Sequence, residues 1–237
     1  MIGLRSFNLL SESEESMMFA ETSEFGPRMS FQRYWGRRVS DSILNIGACD
    51  DPVGLGVKVY PSGLNKKVVQ FDLDRWPGLG RVQGDAHALP FADRSFEMVI
   101  VGDVHEHLYQ PLTATLEAAR VADRWLVMTI FEEWRLPSKG QWIELGIENG
   151  QRDTRRSGYP SYEFYMKCEF PTVELVPDEK YPHHFHINAF SDTDIAQLIE
   201  GACATGLECS YHAKIPETSY AGHQWSNWLI VLERKNL

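Results

Sequence analysis

The run at residues 84–108, GDAHALPFADRSFEMVIVGDVHEHL, constrains the fold more than any other part of the chain. At its centre Met98, Val99, Ile100 and Val101 form an unbroken apolar stretch between two polar turns. Such a stretch is too short for a helix and suits a strand buried on both faces of a parallel sheet. Open α/β sheets collect ligands at the carboxyl ends of their strands. Asp85 and Asp103, each just past an apolar strand, are therefore candidate site residues, although an Asp in either place would also serve as an ordinary turn or cap residue.

Size and charge narrow the class. With 237 residues, 43% of them hydrophobic, the chain can bury a full core as one domain with decorations. Its formal net charge of −10 argues against general attraction to a phosphate backbone, so no bulk nucleic-acid binding is expected. Cys49, Cys168, Cys203 and Cys209 form no C-x-x-C pair and no zinc-ligand spacing, which fits reduced thiols in a cytoplasmic protein. The opening MIGLRSFNLLSESEESMM has the pattern of neither a signal peptide nor a membrane span, and no membrane association is expected.

Taken in order, residues 1–26 fit a short docked helix or a loose arm equally. From Pro27 the segment RMSFQRYWGRR predicts a leading helix with the proline in its first turn. Ser42-Ile43-Leu44-Asn45-Ile46-Gly47 reads as a first strand entering a tight turn. Residues 53–67 hold three glycines and a proline, which predicts a short or irregular crossover rather than a long helix. Residues 68–72 read as a second strand with Asp72 at its carboxyl end, where one carboxylate can accept both hydroxyls of a ribose diol; Asp74 is the substitute. Residues 81–84 predict a short third strand, followed by His87 as a solvated loop residue. A helix over 111–121, a fifth strand over 125–130, a capped helix from Ser191 and two strands over 208–215 and 225–232 complete the pattern.

Asp85-Ala86, Leu89-Pro90-Phe91, Asp93-Arg94-Ser95-Phe96-Glu97 and His105-Glu106-His107 together resemble the central segment of class I S-adenosylmethionine-dependent methyltransferases of the type 11-like kind. Glu97 stands where Asp is usual, and His105 where Leu is usual. The resemblance implies an α/β, Rossmann-like fold: a seven-stranded, mostly parallel sheet ending in an antiparallel hairpin. It implies S-adenosylmethionine as cofactor, with S-adenosylhomocysteine as product, and methylation of a small-molecule acceptor at O or N. By the same resemblance, Asn45, Gly47, Ala48 and Cys49 form the loop beside the cofactor's methionine part, with Asn45 in place of the usual acid and Asp50 or Asp51 as receivers of the ammonium. Asp72 takes the ribose, Asp85 the adenine amino group, Ala86 a ring nitrogen through its backbone N–H, and Asp103 lines the transfer site. Where a base is needed, His107, His184 and His186 are the candidates, since imidazole titrates near neutral pH.

The expected organisation is an arm and leading helix over 1–40 and a methyltransferase domain over 41–237, with 131–182 inserted as a cap. That insertion is long for a loop and carries Trp134, Trp142, Tyr159, Tyr162, Arg152, Arg155 and Arg156, a composition suited to selecting an acceptor. A surface elaboration or a homodimer contact is the competing reading of it. Two rival functions stay open. The spacing Asp103-x-x-Glu106-His107, with His184 to complete it, is similar to the metal-ligand motif of RNA 3′-end 2′-O-methyltransferases; against it, Asp103 lines the cofactor, Glu106 caps a turn and His107 packs, with no metal. The unusual Ala48-Cys49-Asp50 loop would also fit a non-catalytic protein that has lost its cofactor. A nicotinamide dehydrogenase is disfavoured, because no G-x-G-x-x-G follows the first strand.

Overall fold

The computed structural model describes residues 11–20, 22–39, 41–48, 67–75, 80–132, 188, 190–218 and 224–235. Seven strands, β1 (Ser42–Ile46), β2 (Lys67–Asp72), β3 (Arg81–Gln83), β4 (Phe96–Gly102), β5 (Ala122–Glu132), β6 (Glu208–Thr218) and β7 (Gln224–Glu233), form one sheet in the order β3-β2-β1-β4-β5-β7-β6. Pairings from β3 through β5 are parallel, and β7 runs antiparallel to both its neighbours. The expected parallel sheet with an antiparallel terminal hairpin is present, and β7 is its one reversed strand.

Side chains alternate across the sheet with the period of a strand. Ile43, Met98, Ile100, Val127 and Leu229 meet Phe31 and Trp35 of helix α2 (Thr22–Arg38) on one face, with Met18 of α1 (Glu12–Met18) in the same cluster. Leu44, Val99, Val101, Leu126 and Met128 meet Ala118 of α3 (Pro111–Val121) and Leu198 of α4 (Asp192–Cys203) on the other. This three-layer arrangement leaves the carboxyl ends of the parallel strands as a shared rim.

Local chemistry accounts for the helix ends. Ser11 and Glu14 form a capping box at α1, and Ser191 and Asp194 form one at α4. Pro111 opens α3, where its missing N–H costs nothing. Among the described residues before Pro27, Glu12–Met18 form a docked helix, and the leading helix starts earlier than expected, at Thr22. Pro27 lies inside α2 rather than in its first turn, so the hydrogen bond to the carbonyl one turn back is absent. Phe31 and Trp35, both buried, anchor the remainder of α2 on the sheet. Among the described residues no helix is long and apolar enough to cross a membrane. Cys203 and Cys209 are free thiols, and burial pushes both up, Cys209 to about 11.

Candidate functional site at the strand ends

The rim is closed by backbone bonds that continue the parallel pairing. Gly47 N–H donates to the Phe71 carbonyl at 2.8 Å, Gly84 N–H to Asp72 at 2.8 Å, and Asp103 N–H to Thr129 at 3.0 Å. Gly47 has φ +71°, and a Cβ there would lie 2.1 Å from Val104 Cγ2. Only glycine lets the turn after β1 pass this close to the turn after β4. Ala48 is buried beside it. These contacts bring Gly47, Ala48, Asp72, Asp85, Ala86 and Asp103 to the same edge of the sheet.

Asn45 is inside β1 rather than on the rim. Its side chain is buried and its Nδ2 donates to Gln70 Oε1 at 2.8 Å across the β1–β2 pair. Asp72 is buried, and its Oδ1 accepts the Asp74 N–H at 2.9 Å, turning the chain away after β2. Cys49, Asp50, Asp51, His184 and His186 lie outside the described residues, as does the predicted insertion over 131–182 except for Phe131 and Glu132, which end β5. His107 is half-buried in a single 3-10 turn over His105–His107.

Asp85 and His87 form a unit that the sequence did not disclose. Asp85 Oδ1 accepts the His87 backbone N–H at 2.9 Å and meets His87 Nδ1 at 2.5 Å. His87 Nε2 accepts the Gln110 N–H at 3.2 Å, which leaves the ring proton on Nδ1, donated to Asp85. The ring also lies against Tyr109, centroids 4.0 Å apart. The expected solvated histidine is therefore held in place, its side chain 8% exposed against 49% for Asp85. Partial desolvation works against ionisation of Asp85, yet the two hydrogen bonds from His87 hold its carboxyl below the usual value.

Asp103 is engaged from two sides. Arg28 Nη1 of α2 reaches Asp103 Oδ2 at 2.7 Å, and Thr129 Oγ1 donates to Asp103 Oδ1 at 2.9 Å. Gln32, one turn after Arg28, donates from Nε2 to Thr129 Oγ1 at 2.7 Å. A Cβ on Gly102 would lie 2.5 Å from that Nε2, so the glycine lets α2 approach the end of β4. Asp103 itself has φ +55°, the left-handed region that Asp tolerates better than most residues. Arg28, Gln32 and Thr129 were missed by sequence reasoning. The four-residue spacing of Arg28 and Gln32 put both on one helical face, but nothing said which strand they would meet.

Behind the rim, His105 is fully buried. Thr115 Oγ1 donates to the Pro111 carbonyl at 2.9 Å and so accepts from His105 Nε2 at 3.0 Å. Burial drives the imidazole down to about 3, so it is a neutral core residue. The Glu106 and His105 carbonyls receive the backbone and side-chain N–H groups of Asn188. Glu106 is buried, and among the described residues no group of three or more His, Cys, Asp or Glu is arranged to hold a metal ion. Asp103, Glu106 and His107 follow each other in sequence without forming such a group, since Asp103 turns to Arg28 and Thr129.

The Leu89–Asp93 part of the signature run is held by one side chain. Arg120 donates from Nε to Glu117 Oε1, from Nη1 to the Phe91 carbonyl and Asp93 Oδ1, and from Nη2 to the Leu89 carbonyl and Glu117 Oε2, at 2.8–3.1 Å. Glu117 Oε2 also accepts the Leu89 N–H at 2.8 Å. All five guanidinium donors are used, which gives this stretch a structural role beside the site.

The family described as "Methyltransferase domain" matches residues 54–124, a span that includes Asp72, Asp85 and Asp103. A demethylmenaquinone methyltransferase of Renibacterium salmoninarum is 31% identical over 87 residues, covering 36% of this chain. The chain spans only 37% of that relative's length. Among solved structures, a SAM-dependent methyltransferase of Methanosarcina mazei superposes with a TM-score of 0.51 at 16% identity, covering 83% of this chain and 93% of its own. The YcgJ protein of Bacillus subtilis gives a TM-score of 0.51 at 12% identity, over 89% and 99% of the two chains. At such identities the two structures speak for the fold.

Proposed function

We propose, from the premise that this chain carries a methyltransferase domain on the class I S-adenosylmethionine-dependent methyltransferase fold, that it transfers a methyl group from that cofactor to a small-molecule acceptor at oxygen or nitrogen. What carries the reading is the row of carboxylates, Asp72, Asp85 and Asp103, at the ends of three parallel strands inside the matched span. As hydrogen-bond acceptors, these carboxylates suit the hydroxyls of the cofactor's ribose and the amino group of its adenine. The first turn departs from the family pattern, because the Asn45 amide is spent on Gln70. When bound, the cofactor supplies a methyl group already made electrophilic by its sulfonium.

The chain's own work is alignment and proton removal. Asp72 would hold the ribose diol, Asp85 and the Ala86 N–H the base, and the Gly47–Ala48 backbone the methionine part. Asp103, oriented by Thr129 and Arg28, lines the transfer site. His107, His184 or His186 would take the proton from an acceptor hydroxyl. The inserted segment would cap the acceptor or form a homodimer contact.

The test is calorimetric titration of the full chain with S-adenosylhomocysteine. Wild-type protein should bind in the micromolar range, and Asp72→Ala should lose binding. Asp72→Asn, which keeps an oxygen for the Asp74 N–H, should fold normally and bind more weakly. A folded wild-type protein that fails to bind would leave only the fold, which is the second reading that the buried Asn45 favours.

A further inference from the structure

We infer that His87 is a positioning residue that aims Asp85 at an exocyclic amino group of the bound nucleoside. The inference rests on the cofactor site proposed above. Asp85 Oδ1 receives both His87 donors, the backbone N–H and Nδ1–H. Two donors converging on one oxygen fix both the carboxylate's rotation and which oxygen is occupied. Among the described residues no donor reaches Oδ2, and the side chain is half exposed at the rim. An ionised carboxylate is an acceptor only, so the group that complements Oδ2 is an N–H or O–H donor on the ligand. A purine 6-amino group fits; a 6-keto group, an acceptor, would face oxygen with oxygen.

The direction of the ring is fixed from behind. Gln110 N–H requires a lone pair on Nε2, which selects the tautomer with its proton on Nδ1. Tyr109 covers the ring face. His87 therefore joins two rim segments, the turn after β3 and the turn before α3, and the second sets the hydrogen-bonding state of the first. A histidine present only for packing would need neither the convergence on Oδ1 nor a specified tautomer.

The experiment compares S-adenosylhomocysteine with S-inosylhomocysteine, which carries a 6-keto group, by calorimetry on the full chain. Wild-type protein should prefer the adenosyl ligand about tenfold or more, the scale of one hydrogen bond to a charged group. His87→Gln keeps an acceptor for the Gln110 N–H but has no donor at the Nδ1 position, so the preference should fall to about twofold or less through weaker adenosyl binding. His87→Asn restores a donor near the Nδ1 position and should recover most of the preference. Wild-type binding without a base preference, an undiminished preference in His87→Gln, or equal loss of both ligands in both variants would each overturn the inference while leaving the cofactor site standing. Failure of the wild-type protein to bind either ligand would instead remove the cofactor site and the inference with it.

Discussion

Replacing Arg120 by Met removes five donors while keeping much of the aliphatic stem. The worth of those bonds follows from where they sit. Those to the Phe91 and Leu89 carbonyls are charge-assisted but partly wet, since the Arg120 side chain is 31% exposed, and contribute about 1 kcal/mol each. The bidentate pair with Glu117, itself 23% exposed, contributes about 1 kcal/mol after solvent screening. Asp93 is 75% exposed and adds little. The expected cost is about 3 kcal/mol, or about 6–12 °C in Tm for a chain of this size. Guanidinium denaturation should show a lower midpoint with an unchanged slope, because the loop loses its clamp but the surface exposed on unfolding is the same. Arg120→Lys keeps the charge without the planar fork and should recover less than half the loss. If Arg120→Met lies within about 0.5 kcal/mol of wild type, the clamp is not what holds residues 89–93, and the structural reading of the signature run is wrong.

Three further outcomes follow from the site and its support. His105, with a folded value of about 3 against an ordinary 6.5, binds fewer protons folded than unfolded; the stability this represents is complete above pH 6.5 and is lost as pH falls toward 3. His105→Leu should flatten the pH dependence in that window by up to about 1.4 kcal/mol per pH unit relative to wild type, read by denaturation at several pH values. Gly47→Ala combines left-handed strain with a clash against Val104 and should cost about 2–4 kcal/mol; adding Val104→Ala should recover the steric share but not the strain, as a double-mutant cycle in denaturant would show. Arg28→Met should change stability by less than about 1 kcal/mol, the pair with Asp103 being partly exposed. With that cation gone, the Kd of S-adenosylmethionine should fall about two- to fivefold relative to that of S-adenosylhomocysteine, whose sulfur is neutral, and an unchanged ratio would place Asp103 away from the sulfonium.

The strands were legible because burial on both faces writes itself as short apolar runs, of which Met98 to Val101 is the plainest. The helix beginning at Pro111 was legible for a local reason, proline in a first turn, and the one beginning after Ser191 from its capping pattern. The same proline rule misplaced the start of α2, because anchoring by Phe31 and Trp35 outweighed one missing hydrogen bond at Pro27. At the rim, the acidic residues could be picked out by their place after strands, but their partners could not. Arg28 and Asp103 are 75 positions apart in the chain, and only the crossing of α2 over the end of β4 joins them. His87 looked like a loop histidine because the strand-to-helix turn that supplies Gln110 and Tyr109 comes from a different segment. Asp103, Glu106 and His107 resembled metal ligands by spacing, yet spacing does not reveal that Asp103 turns to Arg28 and Thr129.

The single reversed strand also has a meaning for biosynthesis. β7 leaves the ribosome after β6, yet it lies between β6 and β5. Until residues 224–233 emerge, β5 keeps an open hydrogen-bonding edge and β6 has no partner in the sheet. The apolar side chains of Leu229, Ile230, Val231 and Leu232 then close both gaps at once. A nascent chain stalled before this point presents the kind of bare strand edge that recruits other chains. Completion of the sheet thus waits on β7, and a frameshift there would leave β5 with an open edge and β6 without its neighbour.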